Sequence, residues 1–141
     1  MNDLKIDQRL VGASAYIFNC LSINRVILMA AERSKNTDLG CIINDLSNII
    51  LDIEYCSEQL ADLRDSEGKF VSFKKLFDTH SYLVSVKTRY ERILDEHMAS
   101  PNQMSDDYAE CANAINGSHD LINIAMNQFD DFMVNPISKA A

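Results

Sequence analysis

Three groupings in the 141-residue chain carry side chains that could do chemistry. Arg92 and His97 sit five apart in an uninterrupted helical stretch. A guanidinium can hold a phosphate and an imidazole can move a proton. Cys56, His80 and His119 offer the nitrogen and sulfur donors that zinc takes in a tetrahedral array. No ligand-spacing motif joins them, and the fourth ligand would have to be Asp52 or Tyr16. The sequence therefore implies no metal and no cofactor. Carboxylates are plentiful. Asp106/Asp107 and Asp130/Asp131 are adjacent and diverge around a helix, whereas Glu58/Asp62, Asp62/Asp65 and Glu91/Asp95 share faces. No Glu-x-x-His pair accompanies them, so a di-iron site has no basis.

The elements that must position these groups are helical. A chain of this length makes one domain, residues 1–141, and needs no metal or disulfide to fold. Four glycines and two prolines are too few for a sandwich or barrel. The first helix is expected from about Asp3 to Arg33, ending in Ser34-Lys35-Asn36-Thr37. The second begins at Asp38 as N-cap. Its apolar residues are Leu39, Ile42, Ile43, Leu46, Ile49, Ile50, Ile53, Cys56, Leu60 and Leu63, spaced by the helical period. It stops at Asp65-Ser66-Glu67-Gly68, with Gly68 as C-terminal punctuation.

A third helix starts near Ser72, with Phe73, Leu76, Phe77, His80, Leu83, Val84, Tyr90, Ile93 and Leu94 on its stripe, and Ala99-Ser100-Pro101-Asn102 breaks it. The fourth starts at Ser105, with Asp106 and Asp107 favourable to its first-turn dipole, and ends at Asn135-Pro136. Tyr108, Cys111, Ala112, Ile115, His119, Ile122, Ala125, Met126, Phe129, Phe132 and Met133 face its core. Gly117, mid-helix, reads as a point of close packing or a small kink. Helices of roughly 25–30 residues with short connections stack antiparallel. The fold class is all-α: an up-down-up-down four-helix bundle, with one hairpin over 1–65 and another over 70–135.

The formal net charge is -8, and the acid is concentrated late in the chain. From Met98 to Ile137 there is no Lys or Arg, while Asp106, Asp107, Glu110, Asp120, Asp130 and Asp131 fall there. Nucleic-acid binding needs a basic face, and none is visible. An anionic membrane surface is disfavoured for the same reason. The longest apolar run, Val26 to Ala31, is far shorter than the ~20 residues of a membrane span. Cys20, Cys41, Cys56 and Cys111 each fall in a helical apolar pattern and read as reduced core cysteines. No charged segment followed by an apolar one marks a signal peptide. The expectation is a cytoplasmic protein without membrane insertion.

Asn19-Cys20-Leu21-Ser22-Ile23-Asn24 resembles the N-x-L-[AS]-[LI]-N stretch of the cytoplasmic signalling hairpin of bacterial chemoreceptors, the methyl-accepting chemotaxis proteins. Ile27 and Ala30 fall on apolar or small positions of the same helix. Leu39-Gly40-Cys41-Ile42-Ile43-Asn44-Asp45-Leu46 is similar to the returning F-A-V-V-A-x-E-V stretch. The resemblance covers residues 19–49, more loosely 1–65. It implies the tip of an antiparallel hairpin, which in that family pairs with an identical hairpin and docks a histidine kinase and its coupling protein. The departures are specific. The family's glycine-bearing turn is matched by Arg33 to Leu39, which has no glycine. Leu28 and Ala31 stand where the family carries Glu and Arg in its kinase-contact region, and Arg25 and Glu32 where it is usually small. The framework is kept without the charges that couple the kinase.

Val26-Ile27-Leu28-Met29 is apolar on four consecutive positions, so part of it must lie outside a single core stripe. The expected function is a non-catalytic interaction module. Asn24, Arg25, Leu28, Met29, Glu32 and Arg33 form its contact region, for a protein partner of unknown identity or a second copy. Asn24 has a second reading, as a polar core residue that fixes helix register. The competing class is an enzyme: Arg92 and His97 match the R-x4-H spacing of HEPN-type ribonucleases, which are dimeric helical bundles. Against it stand Ile93 after the arginine, where that family is typically polar, and the acidic balance. A solvated helix end, where Arg92 and His97 complement the C-terminal dipole, is the plainer account of the pair.

Overall fold

The structure, a computed structural model, describes residues 3–98 and 105–136. Strand β1 (Leu4–Lys5) leads into helix α1 (Gln8–Arg33), a 3₁₀ turn spans Thr37–Leu39, and α2 covers Gly40–Asp65. Strand β2 (Phe70–Val71), α3 (Phe73–Met98) and α4 (Asp106–Val134) follow. The four helices form an all-α bundle around one core. Bonds between α1 and α4 join Arg9 to Asp131, Asn24 to Ser118 and Ser34 to Asp107. Those between α3 and α4 join His80 to Asp130, Glu91 to His119 and His97 to Tyr108. Numbers rise on one helix as they fall on the other, the sense that short connections impose.

The first helix begins later than its composition suggests. Asp7 is the N-cap, its carboxylate accepting from the Arg9 backbone N–H at 2.9 Å. The residues before it are drawn into an antiparallel pairing of Leu4 with Val71 and Lys5 with Phe70. Gly68 makes the return possible. It has φ +83°, a region that favours glycine, and its N–H donates to the Ile6 carbonyl at 2.9 Å. Leu4 and Ile6 are thereby buried under the sheet end of the bundle.

At the opposite end, the tip, Asp38 is not the cap of α2. That helix starts at Gly40 behind the 3₁₀ turn, without a side-chain cap bond. Asp38 instead accepts from the Ser105 N–H at 2.7 Å and its hydroxyl at 2.9 Å, tying the α1–α2 connection to the start of α4. Asp107 adds to the tie by accepting from the Ser34 hydroxyl at 2.7 Å and from Asn36. Ser105 caps α4 through the Tyr108 N–H, and Ser72 accepts from the Lys75 N–H at the start of α3. The break expected at Ala99 to Asn102 lies outside the described residues.

Nine of the ten apolar positions expected on α2 are fully buried, Ile43 half-buried. Each such Leu or Ile contributes roughly 1.5–3 kcal/mol by leaving water. On α3 the buried seam runs Leu76, Thr79, Leu83, Val86, Tyr90, Leu94 and His97. Phe77 and Val84, expected inside, are 55% and 40% exposed. Thr79 takes an inner place because its hydroxyl donates to the Lys75 carbonyl at 2.9 Å and leaves its methyl to pack. Cys41 is exposed, unlike the other three cysteines. Nothing lies within 4 Å of a Cβ built on Gly117, which therefore marks no close approach; at Gly12 such an atom would meet Gln128 Oε1 at 2.4 Å.

Candidate interaction surface

From Leu10 to Asn24 the chain has no charged residue, yet this segment forms most of α1, one flank of which faces solvent. Phe18, Ser22, Val26 and Met29 follow one another by four, four and three, which puts them on one stripe of the helix. Phe18 is 54%, Val26 65% and Met29 50% exposed. Ala15, one turn before Phe18, is exposed as well. Such a helix departs from the usual surface pattern, in which the outward face is charged. α3 shows that usual pattern, with Lys74, Lys75, Asp78, Arg89, Arg92, Asp95 and Glu96 exposed. By length and composition α1 could also cross a membrane, its apolar window having a mean hydropathy of 1.3 with 44% of the window buried in the bundle. The short run Val26 to Ala31 conceals this, because the uncharged stretch before it is interspersed with polar residues.

Of the six residues expected to make contacts, Asn24 is withdrawn. It is fully buried, its amide donating to the Cys20 carbonyl at 2.7 Å and its carbonyl oxygen accepting from the Tyr90 hydroxyl at 3.1 Å. It is a polar residue of the core, as in its second reading. Arg25 is exposed and pairs with Glu54 on α2 at 2.7 Å. Leu28 is half-buried against the core, because Ile27 and Ala31 on either side occupy the inward positions. Met29, Glu32 and Arg33 are exposed at the tip. Arg33 borders a shallow cleft of ≈ 210 Å³ with Ala30, Leu39, Asp107, Glu110 and Cys111. Phe18 was not among the expected contacts; its place at i−4 and i−8 from Ser22 and Val26 is the signal that finds it.

The three candidate zinc ligands do not converge. His80 pairs with Asp130 and lies against Phe129, while His119 pairs with Glu91 at 3.1 Å and stacks on Tyr90. The pairs are separated by eleven residues along α3, roughly 16 Å of helix. Cys56 is buried and its thiol is pushed up to about 12 by burial, with neighbouring Cys20 adding to the effect.

Arg92 and His97 separate as well. Arg92 is exposed on a cleft of ≈ 160 Å³ with Asp45, Asn48, Ile49, Arg89, Ile93 and Glu96. His97 is only 5% exposed, so it is not a solvated helix end. Its Nε2 lies 2.8 Å from Asp45 Oδ2 and its Nδ1 2.6 Å from the Tyr108 hydroxyl, so both ring nitrogens are engaged. Burial raises the Tyr108 phenol above its ordinary value, with Cys41, Asp38 and Asp45 adding to the shift.

The class these features define is an all-α four-helix bundle with an exposed apolar stripe, Phe18, Val26 and Met29, on α1. Compared with protein-family models, curated proteins and solved structures, the chain matches none.

Proposed function

We propose that the chain is a non-catalytic interaction module whose occupant on the outer face of α1 is a second copy of itself. The observation that carries this reading is the exposure of Phe18, Val26 and Met29 on one stripe of α1. Contiguous exposed apolar surface of this kind marks contact sites. The stripe is also self-complementary. In an antiparallel pair centred on Ser22, Phe18 meets the other copy's Val26 and Ala15 meets its Met29, large beside small, which lets the surfaces interdigitate. In the chemoreceptor hairpins the mate within the bundle is an identical hairpin; here α3 and α4 take that place, and the stripe on α1 is left over as a contact patch. Arg25 lies within the stripe, drawn to Glu54 of α2, Arg33 lies beyond Met29 towards the tip, and the acids of α4 remain outside to keep the pair soluble.

Sedimentation velocity across a wide concentration range tests the proposal, with wild type beside a Val26→Asp, Met29→Asp variant whose fold is checked by circular dichroism. A concentration-dependent dimer lost in the folded variant is the expected result. A wild type that stays monomeric throughout, or a variant that still dimerises, overturns the choice of occupant. RNA cleavage by wild type, abolished by His97→Gln in a folded protein, overturns the non-catalytic part.

A further inference from the structure

At the tip end of the bundle, Asp45 of α2 and Glu96 and His97 of α3 bring one ligand atom each within 4.8 Å of one another. We propose that these three side chains hold a divalent transition-metal ion, with zinc the best fit to their donors. An imidazole nitrogen with two carboxylate oxygens is a donor set that zinc and its neighbours accept. Two carboxylates so close repel one another, and a cation between them removes that cost.

His97 has the support a metal-binding histidine needs. Its ring is buried, and its Nδ1 faces the Tyr108 hydroxyl at 2.6 Å from the opposite side. With no ion bound, Tyr108 donates to Nδ1 and the Nε2–H donates to Asp45. With the ion bound, the tautomer reverses: Nδ1–H donates to the phenol oxygen and the Nε2 lone pair turns to the metal. An outer partner of this kind fixes ring orientation and raises ligand basicity. Three protein ligands leave a coordination position facing the cleft that Asn48 and Arg92 line. Arg89, on the same wall, is drawn away by Asp52. Arg92 stays beside the open position, so the ligand completing the sphere is a water or a small anion such as a carboxylate or phosphate. The site is independent of the α1 surface.

The test titrates Zn²⁺ into metal-stripped Cys41→Ser protein by calorimetry, the substitution removing the exposed thiol as a competing ligand. One ion per chain and a raised Tm are expected, with Co²⁺ giving a visible absorption band in place of Zn²⁺. Asp45→Asn and Glu96→Gln, both at accessible positions and checked for folding, are each expected to weaken binding at least tenfold. Tyr108→Phe is expected to keep the stoichiometry and lose about 10–100-fold in affinity. Absence of stoichiometric binding, or binding that Asp45→Asn and Glu96→Gln leave unchanged, overturns the proposal.

Discussion

The Tyr90 hydroxyl on α3 lies 3.1 Å from the Asn24 carbonyl oxygen on α1, and both residues are fully buried. Diagonal helices are thus joined through the centre of an otherwise apolar core. Ser118 of α4 completes the layer: it touches both side chains and donates to the Ile115 carbonyl at 2.9 Å. A buried polar layer of this kind is stabilising only while every member is satisfied. It also penalises any sliding of one helix past another, since a slip of one turn would strand each group among apolar neighbours.

Tyr90→Phe is therefore expected to destabilise the fold by about 1–3 kcal/mol, the cost of leaving buried groups unpaired. Urea denaturation measures it. Asn24→Leu alone is expected to cost a similar amount, but the double variant less than the sum, because each substitution removes the other's partner. Additive losses would show that the layer does not act as a unit.

How much of this was legible in the sequence differs from helix to helix. On α2 the period alone places the core, because every inward residue except Ser57 is apolar. On α3 the aromatic Phe77 and β-branched Val84 draw the stripe towards solvent, while Thr79 is disguised by a hydroxyl that satisfies itself on its own helix. The exposure of Val26 and Met29 was legible, because Val26 to Met29 are four consecutive apolar residues that one stripe cannot hold. The cluster of Asp45 with His97 was not, because the two are 52 residues apart and meet only through the packing of α2 on α3. Asp38 reads as a helix cap for the same reason: its partner, Ser105, is 67 residues away.

Arg9 clamps the sheet end of α1 to α4. Its guanidinium is 2.7 Å from both Asp7 and Asp131 and stands 5.5 Å over the Phe132 ring. The hydrogen bond from Arg9 holds the Asp131 carboxyl below its ordinary 3.8. A carboxylate held low adds stability at neutral pH that fades as pH falls below its ordinary value and through the depressed one. Carboxyl NMR titration is expected to place Asp131 below 3.8 in wild type and to raise it towards that value in Arg9→Ala, where the bond from Asn135 remains. An unshifted wild-type value would mean that the clamp does not form in solution.

The glycines separate by backbone and by space. Gly117→Ala, in an open helix interior, is expected to stabilise by roughly 0.5–1 kcal/mol, because glycine there costs chain entropy without a packing reason. Gly68→Ala is expected to destabilise by roughly 1 kcal/mol or more, since φ +83° strains any side chain. Gly12→Ala must displace the Gln128 amide. Thermal melts of the three variants rank them, and a gain in Gly68→Ala would contradict the turn geometry.

Alkaline pH should unfold this protein earlier than its carboxylate-rich surface suggests. Burial pushes the Cys20 and Cys56 thiols from 9.0 up to about 12, and it raises the Tyr90 phenol as well. Above pH 9 the unfolded chain loses these thiol protons while the folded chain keeps them, so the unfolded state binds fewer protons and stability falls. The slope is roughly 1.4 kcal/mol per pH unit for each thiol, running from about pH 9 until the folded value is reached. Urea midpoints measured between pH 8 and 11 are expected to decline accordingly, and more shallowly in Cys20→Ala and Cys56→Ala. Cys41, exposed at the tip, should react with a thiol reagent in the native state at pH 8, before either buried thiol does. Equal reactivity of the buried and exposed thiols at that pH would mean that the bundle opens far more readily than its packed core allows.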